Sequence, residues 1–566
     1  MISNKRVLSC VLVLASIVSV PFAKTFYVDP ASGNSSNDGS QAHPWKTLQE
    51  VVDGNKIQSR AYAHNPYVKG DTLKAINQGA PVNAGDSLLL NTGYHGDVSI
   101  QAALNTDYIT ISAAPGQSPR VNHLSLSGAS KWKIHGLTVS AAFDTQGHNR
   151  DLLFINSEGW PGPSREITVE NCSLFTIKDA SAWTMNEWAN YTCTGARIHG
   201  ANFIFRNNFV SNVDIGIRVV AESTVVDKNV FENFSSCGMR LCGVNNCSFT
   251  YNVVRGFHMV NNIYGMGFQG YSQGTDGTVG KGVVSHVSVV GNTIMNTVSP
   301  TQPFKGQLYG IACFDGIYDD WVVENNVVLA NTWYGIAFNG AHNCRIVNNT
   351  VAALDTADCM LPCITVSDNS DSTKSINCIL RNNFCGTIVN KGDSSCHDDH
   401  NIATCKPDSF FVDLAQGDLR LKPGCLAIDS GSSILAPTID IVGTSRLQGV
   451  DIGAFQYVLP TASFRPNGAP VGAAAPKLVV GYNRGNRSLY ASIKISASSM
   501  TLPNEMSGYS FKVYDIRGSQ CGTVHNSDKF SMRCNGTDPE NGISPGVYIV
   551  SARNSTSTVS SRVIVR

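Results

Sequence analysis

The chain has 566 residues, with 42 basic and 42 acidic side chains and a formal charge of zero. That balance excludes nucleic acid as the expected partner, because phosphate binding needs a basic surface. The length predicts more than one domain, and 51 glycines with only 15% charged residues suit a turn-rich, all-β chain.

At the start, Lys5 and Arg6 precede an apolar run from Val7 to Val20, and VPFA ends at Ala23. A basic start, a short apolar stretch and a small-residue end predict a secretory signal over residues 1–23. The run is too short for an ordinary membrane span. Of the 17 cysteines, Cys10 lies in this leader, and 16 remain in the exported body. Disulfides are permitted in an exported chain, small buried thiols are the other reading, and no Cys-x-x-Cys pair points to a metal.

The body, residues 24–457, is expected to be a right-handed parallel β-helix. Its signal is a repeat centred on Asn171, Asn208, Asn229, Asn252, Asn292, Asn326, Asn349 and Asn383, in segments such as FIFRNNFVSN, TVVDKNVFEN and RIVNNTVAA. The shortest spacings are 21 to 23 residues, and longer ones carry insertions. A fixed period of this size marks a solenoid. β-Branched and aromatic residues recur three and five before each asparagine and two after it, so strands alternate inward and outward. The asparagines should stack at a turn between strands. Cys344 and Cys378 share the position five before an asparagine, so they should touch on adjacent coils, close enough for a disulfide.

A second repeat, DIGIRVV, SCGMRLC, MGFQGY, YGIACFD and YGIAFNG, aligns on Gly216, Gly238, Gly267, Gly310 and Gly335. The residue after each glycine should point inward, and the next should point out: Arg218, Arg240, Gln269, Ala312 and Ala337. Arg218 and Arg240 would then lie one coil apart, about 4.8 Å between strands. Like charges that close repel, unless an anion lies over them or they pair with Asp214 and Glu232. Arg binds carboxylates through a two-pronged fork. Tyr309 and Tyr334 should line the same groove and offer faces to sugar rings, with Gln269, Tyr271 and Asn339 as further substrate contacts. Insertions around Val260 to Ser285 and Asn296 to Tyr309 should wall it.

For chemistry on a uronate chain, Arg218, Arg240 or Lys305 would neutralise the carboxylate, and Tyr309, Tyr334 or Lys305 would accept the proton. Asp315, Asp319 and Asp320 are candidates for calcium binding or for a hydrolytic carboxylate pair. CFDGIYDDW also reads as an ordinary polar loop with Trp321 in the core.

Residues 458–476 are rich in Ala, Gly and Pro and predict a linker. Residues 477–566 alternate as SLYASIKIS, YSFKVYDIRG and GVYIVSARNSTSTVSSRVIVR, the pattern of a small β-sandwich.

Several of these segments carry a family resemblance. FYVDPASGNSSNDGSQAHPWKTLQEVV and AGDSLLLNTGYHGDVSI resemble the first coils of secreted β-helix proteins, and FFVDLAQGDLRLKPGCLAID with GVDIGAFQY resembles their last coil. The body as a whole is similar to the pectate-lyase-like superfamily, which includes pectate and alginate lyases, chondroitinases, glycosidases and epimerases. That resemblance implies an exported protein, expected to be monomeric, acting on a polysaccharide such as pectin or alginate, most simply as a lyase. A glycoside hydrolase and a non-catalytic glycan-binding surface protein are the alternatives. GMRLCGVNNCSFTYNVVRGFHMVNNIYGMGFQGYSQG resembles a bacterial β-helix subgroup that carries an acidic, histidine-containing string before its GFQ motif. Here that place reads VNNIYGM, without acid or histidine, which favours the binding alternative. FKVYDIRG, SPGVYIV and the basic last strand resemble the C-terminal sorting domains of type IX secretion substrates. That resemblance implies contact with secretion machinery, and release or attachment at the outer-membrane surface.

Overall fold

The computed structural model describes residues 23–143, 150–157, 159–260, 263–274, 277–296, 304, 306–353, 361–447 and 449–458, and six strands of the tail. The expected leader and linker lie outside the described residues, apart from Ala23 and Val458.

The body is a parallel β-helix. Thirty-one strands join in one sheet system, and each strand pairs in parallel with strands of the preceding and following coils. Parallel crossovers between L-residue strands strongly favour the right hand. Each coil has three faces. One carries Val225–Asp227, Ser248–Thr250, Ser288–Val290, Val322–Glu324, Arg345–Val347 and Ile379–Arg381 in succession. The second carries Val253–Phe257, Thr293–Met295, Val327–Leu329 and Thr350–Ala352. The third runs through Asp151–Asn156, Thr194–Arg206, Phe209–Glu222, Val230–Cys242, Gly265–Tyr271, Leu308–Asp315, Tyr334–Asn339 and Cys363–Ser367. Inward residues of all three faces form a continuous apolar core.

The asparagine repeat builds the corner between the first two faces. The backbone N–H and side-chain Nδ2 of Asn229 both donate to Asn252 Oδ1, at 2.9 and 3.0 Å, and Nδ2 also reaches the Phe205 carbonyl at 2.8 Å. The same triple contact recurs at Asn252, Asn292, Asn326, Asn349 and Asn383. Two corrections follow. Asn171 is not a rung: Cys172 takes that place and donates its N–H to Asn208 Oδ1 at 2.9 Å. Asn401, missed in the sequence, closes the column. Asn171 instead holds the preceding position, which at every coil is left-handed: Asn171, Asn207, Lys228, Tyr251, Gly291, Asn325, Asn348 and Asn382 all have φ between 52° and 67°. Asparagine tolerates this conformation better than most residues.

The glycine repeat has a different cause. A Cβ on Gly216 would meet Phe231 Cδ1 at 2.4 Å, one on Gly238 would meet Val254 Cγ1 at 2.3 Å, and one on Gly310 would meet Val328 Cγ1 at 2.3 Å. At this corner the backbone approaches the inward side chains of the second face too closely for any side chain.

Cys344 and Cys378 sit side by side on adjacent coils, as Arg345 pairs with Ile379, and both are buried free thiols. Cys396 extends the column, as Ile379 pairs with His397. At the far end, the segment from Ser430 to Tyr457 returns along the helix. The left-handed asparagines hold it: Asn325 donates to the Ile439 carbonyl at 2.8 Å, Asn348 to Asp451 at 3.0 Å and Asn382 to Ser432 at 2.8 Å. Buried Arg446 completes this cap, donating to Asn325 Oδ1 and to the Gly453 carbonyl. Solenoid ends need such closure to stay soluble.

In the tail, Lys477–Asn483 pairs antiparallel with Ser488–Lys494. Gln520–Val524, Ser510–Asp515, Gly546–Arg553 and Thr558–Val565 form a four-stranded antiparallel sheet in that order.

Candidate functional site

The third face presents three parallel columns of outward residues. The middle column runs from Ser99 and Ser125 to Phe154 and continues as Arg197, Arg218, Arg240, Gln269, Ala312, Ala337 and Thr365, each in register with the next. The inward partners Ile217, Met239, Phe268, Ile311 and Ile336 are fully buried, which forces their successors out. The sequence reading of Arg218, Arg240 and Gln269 therefore holds, and the structure adds a third arginine, Arg197. Arg197 follows Gly195 and Ala196 in TGARIHG, so its glycine was a usable signal. The small Ala196 and the helical insertion Met185–Asn190 before it hid the alignment.

Arg197 is charge-paired, with Nε 3.2 Å from Asp151 Oδ1. Among the described residues, Arg218 and Arg240 form no ion pair. Glu232 is taken by Arg255 at 3.1 Å, so the pairing weighed for it does not form. Arg218 lies beside the Cys242 thiol and the Tyr271 hydroxyl. Arg240 donates from Nη2 to Ser236 Oγ at 3.2 Å. The Nε of both arginines and the Oε1 of Gln269 are buried without a hydrogen-bond partner.

One flanking column holds carboxylates at its first coils. Asp151 pairs in register with Thr194, whose Oγ1 donates to Asp214 Oδ1 at 3.0 Å. Asp214 occupies an irregularity between the pairs Val213–Phe234 and Ile215–Cys237. Burial raises both carboxyls above the ordinary carboxylate range, against the opposing pull of Arg197 on Asp151 and of Arg240 and Arg197 on Asp214. Asp151 was missed in the sequence because its strand has Leu152 rather than glycine at the corner.

Further along, the same column becomes Cys237, Met266, Tyr309 and Tyr334. Tyr309 and Tyr334 meet edge to face at 5.4 Å, and Tyr264 stacks on Tyr309 at 5.2 Å. Burial, with the neighbouring phenols of Tyr264 and Tyr334, raises the Tyr309 hydroxyl above its usual value, which weakens it as a proton acceptor near neutrality. On the other flank, Cys242 pairs with Tyr271 and Tyr271 with Asp315, and Asn339 faces Ser367. Burial pushes the Tyr271 hydroxyl up to about 12. Of the walls, Tyr264 and Tyr309 are in place; Lys305 and parts of both insertions lie outside the described residues.

The three aspartates do not form one site. Asp315 ends a groove strand, and Gly316, at φ 142°, turns the corner. Asp319 thus belongs to a separate small sheet, where its carboxylate accepts from Asn343 at 2.7 Å. Asp320 faces His286 at 3.7 Å. Among the described residues, no group of three or more His, Cys, Asp or Glu side chains is placed to hold a metal ion. Asp315, Asp319 and Asp320 therefore do not together form the calcium site expected of them.

No family model matches the chain, and no curated protein matches it. Among solved structures it is similar to the pectate lyase Pel9A, with 14% identity, 78% of this chain and 98% of that chain covered and a TM-score of 0.39. It is also similar to a lacto-N-biosidase from Eubacterium ramulus, with 10% identity, coverage of 66% and 68% and a TM-score of 0.36. A third likeness is to PfbA, a surface adhesin of Streptococcus pneumoniae, with 10% identity, coverage of 56% and 80% and a TM-score of 0.31. The fold assignment rests on this chain's own strand pairing.

Proposed function

We propose that the protein binds an anionic, uronate-containing polysaccharide along the third face and cleaves it as a lyase. The observation that carries this reading is the run Arg197, Arg218 and Arg240 on successive coils, with the last two free of ion pairs. Stacked cations repel each other, and a chain of carboxylates laid over them removes that repulsion through charge-assisted bonds. In the cleavage step, Arg218 and Arg240 neutralise a bound uronate carboxylate, which acidifies the proton on the adjacent ring carbon. A base removes that proton, a carbon–carbon double bond forms to the next ring carbon, and the bond from that carbon to the glycosidic oxygen breaks; the oxygen leaves with the other part of the chain and takes a proton from water or from the protonated base. Asp214, beside Arg240 and with its pKa raised by burial, is the candidate base.

A second reading, glycan binding without cleavage, is favoured by VNNIYGM, where the related subgroup has acid and histidine. Incubation with polygalacturonate and alginate separates the two. Cleavage gives new absorbance at roughly 230–235 nm from unsaturated uronates formed by proton abstraction, and it is lost in Asp214→Asn. Binding without absorbance supports the second reading, and no binding overturns both.

Export and surface delivery by residues 477–566 belong to the same proposal, supported by FKVYDIRG, SPGVYIV and the paired antiparallel strands Ser510–Asp515 and Gly546–Arg553, which overlap them. Deleting Lys477 to Arg566 should leave the β-helix folded and retained inside the outer membrane. Normal appearance of the truncated protein in the medium would end the sorting reading.

A further inference from the structure

The groove changes character along its length. From Arg197 to Gln269 its middle column is cationic or polar. The next two positions are Ala312 and Ala337, both fully covered. The rings of Tyr309 and Phe314, which flank Ala312 on one strand, meet at 6.0 Å, and Phe314 contacts Tyr334 at 5.1 Å. Tyr264 lies nearly parallel on Tyr309, at 15°, and is 47% exposed. Trp333, next to Tyr334, is 41% exposed. The aromatic half starts two coil steps beyond Arg240, about 10 Å along the axis.

These two halves ask for different sugars. A free carboxylate placed among the rings would lose its hydration with no cation in the middle column to replace it. A neutral or esterified sugar offers C–H faces that stack on aromatic rings. The two surfaces are continuous on one face, so one extended chain would cover both. We infer that the ligand is a block-type anionic glycan: free uronates over Arg197, Arg218 and Arg240, joined to esterified or neutral units over Tyr264, Tyr309 and Tyr334. This inference rests on the anionic-glycan reading and adds a polarity and a modification pattern to it.

The test uses the full mature protein and calorimetric titration with two pairs of probes. These are hexagalacturonates with and without methyl esters on one half, and hexamannuronates with and without methyl esters on one half. In at least one pair, the half-modified chain should bind tenfold or more tightly than the unmodified one. Tyr264→Ala should remove that preference and leave the affinity for an unmodified trimer unchanged; its exposed ring makes folding loss unexpected, and a melting curve checks this. Arg218→Ala with Arg240→Ala should weaken every uronate probe. Equal or tighter binding of the unmodified hexamers, or an equal loss on all probes in Tyr264→Ala, would overturn the block inference and leave the anionic-glycan reading standing. Failure of every uronate probe to bind would overturn both.

Discussion

Two columns of identical residues run along this β-helix, and they behave in opposite ways. The asparagines from Asn208 to Asn401 are stacked one per coil, and each side chain both donates to and accepts from its neighbours. The arginines Arg197, Arg218 and Arg240 are stacked with the same register precision, yet a guanidinium has only donors. An amide column can satisfy itself, whereas an arginine column needs an outside acceptor. The same repeat geometry therefore yields a structural spine at one corner and a ligand-seeking surface on the next face.

The largest effect should come from breaking the spine. Asn326→Ala leaves the N–H of Asn292 and the Val289 carbonyl without this partner, and leaves Asn292 Nδ2 only the Phe249 and Val290 carbonyls. At about 1–3 kcal/mol for each unsatisfied buried group, the loss should be several-fold larger than for a surface change. Chemical denaturation should show it, and an unchanged midpoint would refute the self-satisfying column.

Breaking the arginine column should do the reverse. Replacing Arg218 and Arg240 together by Ala should leave the melting temperature unchanged or raised, since no ion pair is lost. Affinity for polygalacturonate should fall by about 1.5–3 kcal/mol per charge-assisted contact, tenfold or more for each arginine. A drop in stability with retained affinity would make these arginines structural.

Acid sharpens the contrast within the face itself. Asp214 is raised by burial, so its favourable contribution to folding is fully present below the unfolded carboxylate value near 3.8 and is lost as pH rises through the raised folded value. Asp214→Asn should therefore be more stable than the parent at pH 7, with the gap closing as pH falls from the raised folded value to the unfolded value near 3.8. Asp399 is the opposite case. Arg381 grips its carboxylate at 2.5 and 2.6 Å and holds it down to about 2. Its contribution is present above the unfolded value and lost as pH falls through about 2. This pair is part-buried and still screened by solvent, so Asp399→Asn should cost about 1 kcal/mol at pH 7. Thermal melts from pH 7 to 2 would check both signs.

Much of this was legible because β-helix coils are locally written. Alternation has a period of two, so Phe249 and Val289 announce their inward side within a few residues. The glycines at 216, 238, 267, 310 and 335 fixed the outward positions of Arg218, Arg240 and Gln269. The asparagine alignment slipped by one at Asn171, because NC and RNN share an asparagine whose role differs: one is the left-handed turn residue, the other the buried rung.

By itself the sequence determined the solenoid, the stacking of the cysteines at 344 and 378, and the side on which Arg218 and Arg240 stand. These follow from period and alternation, which are properties of neighbouring residues. Only the tertiary structure decided who pairs with whom between coils. It gave Glu232 to Arg255 rather than Arg240, brought Asp151 and Asp214 to one threonine across an insertion, and sent Asp319 to a different sheet from Asp315. Such pairings depend on contacts between residues tens of positions apart, whose spacing is set by loops of unequal length. Charge satisfaction is thus a property of the stack and not of any single coil.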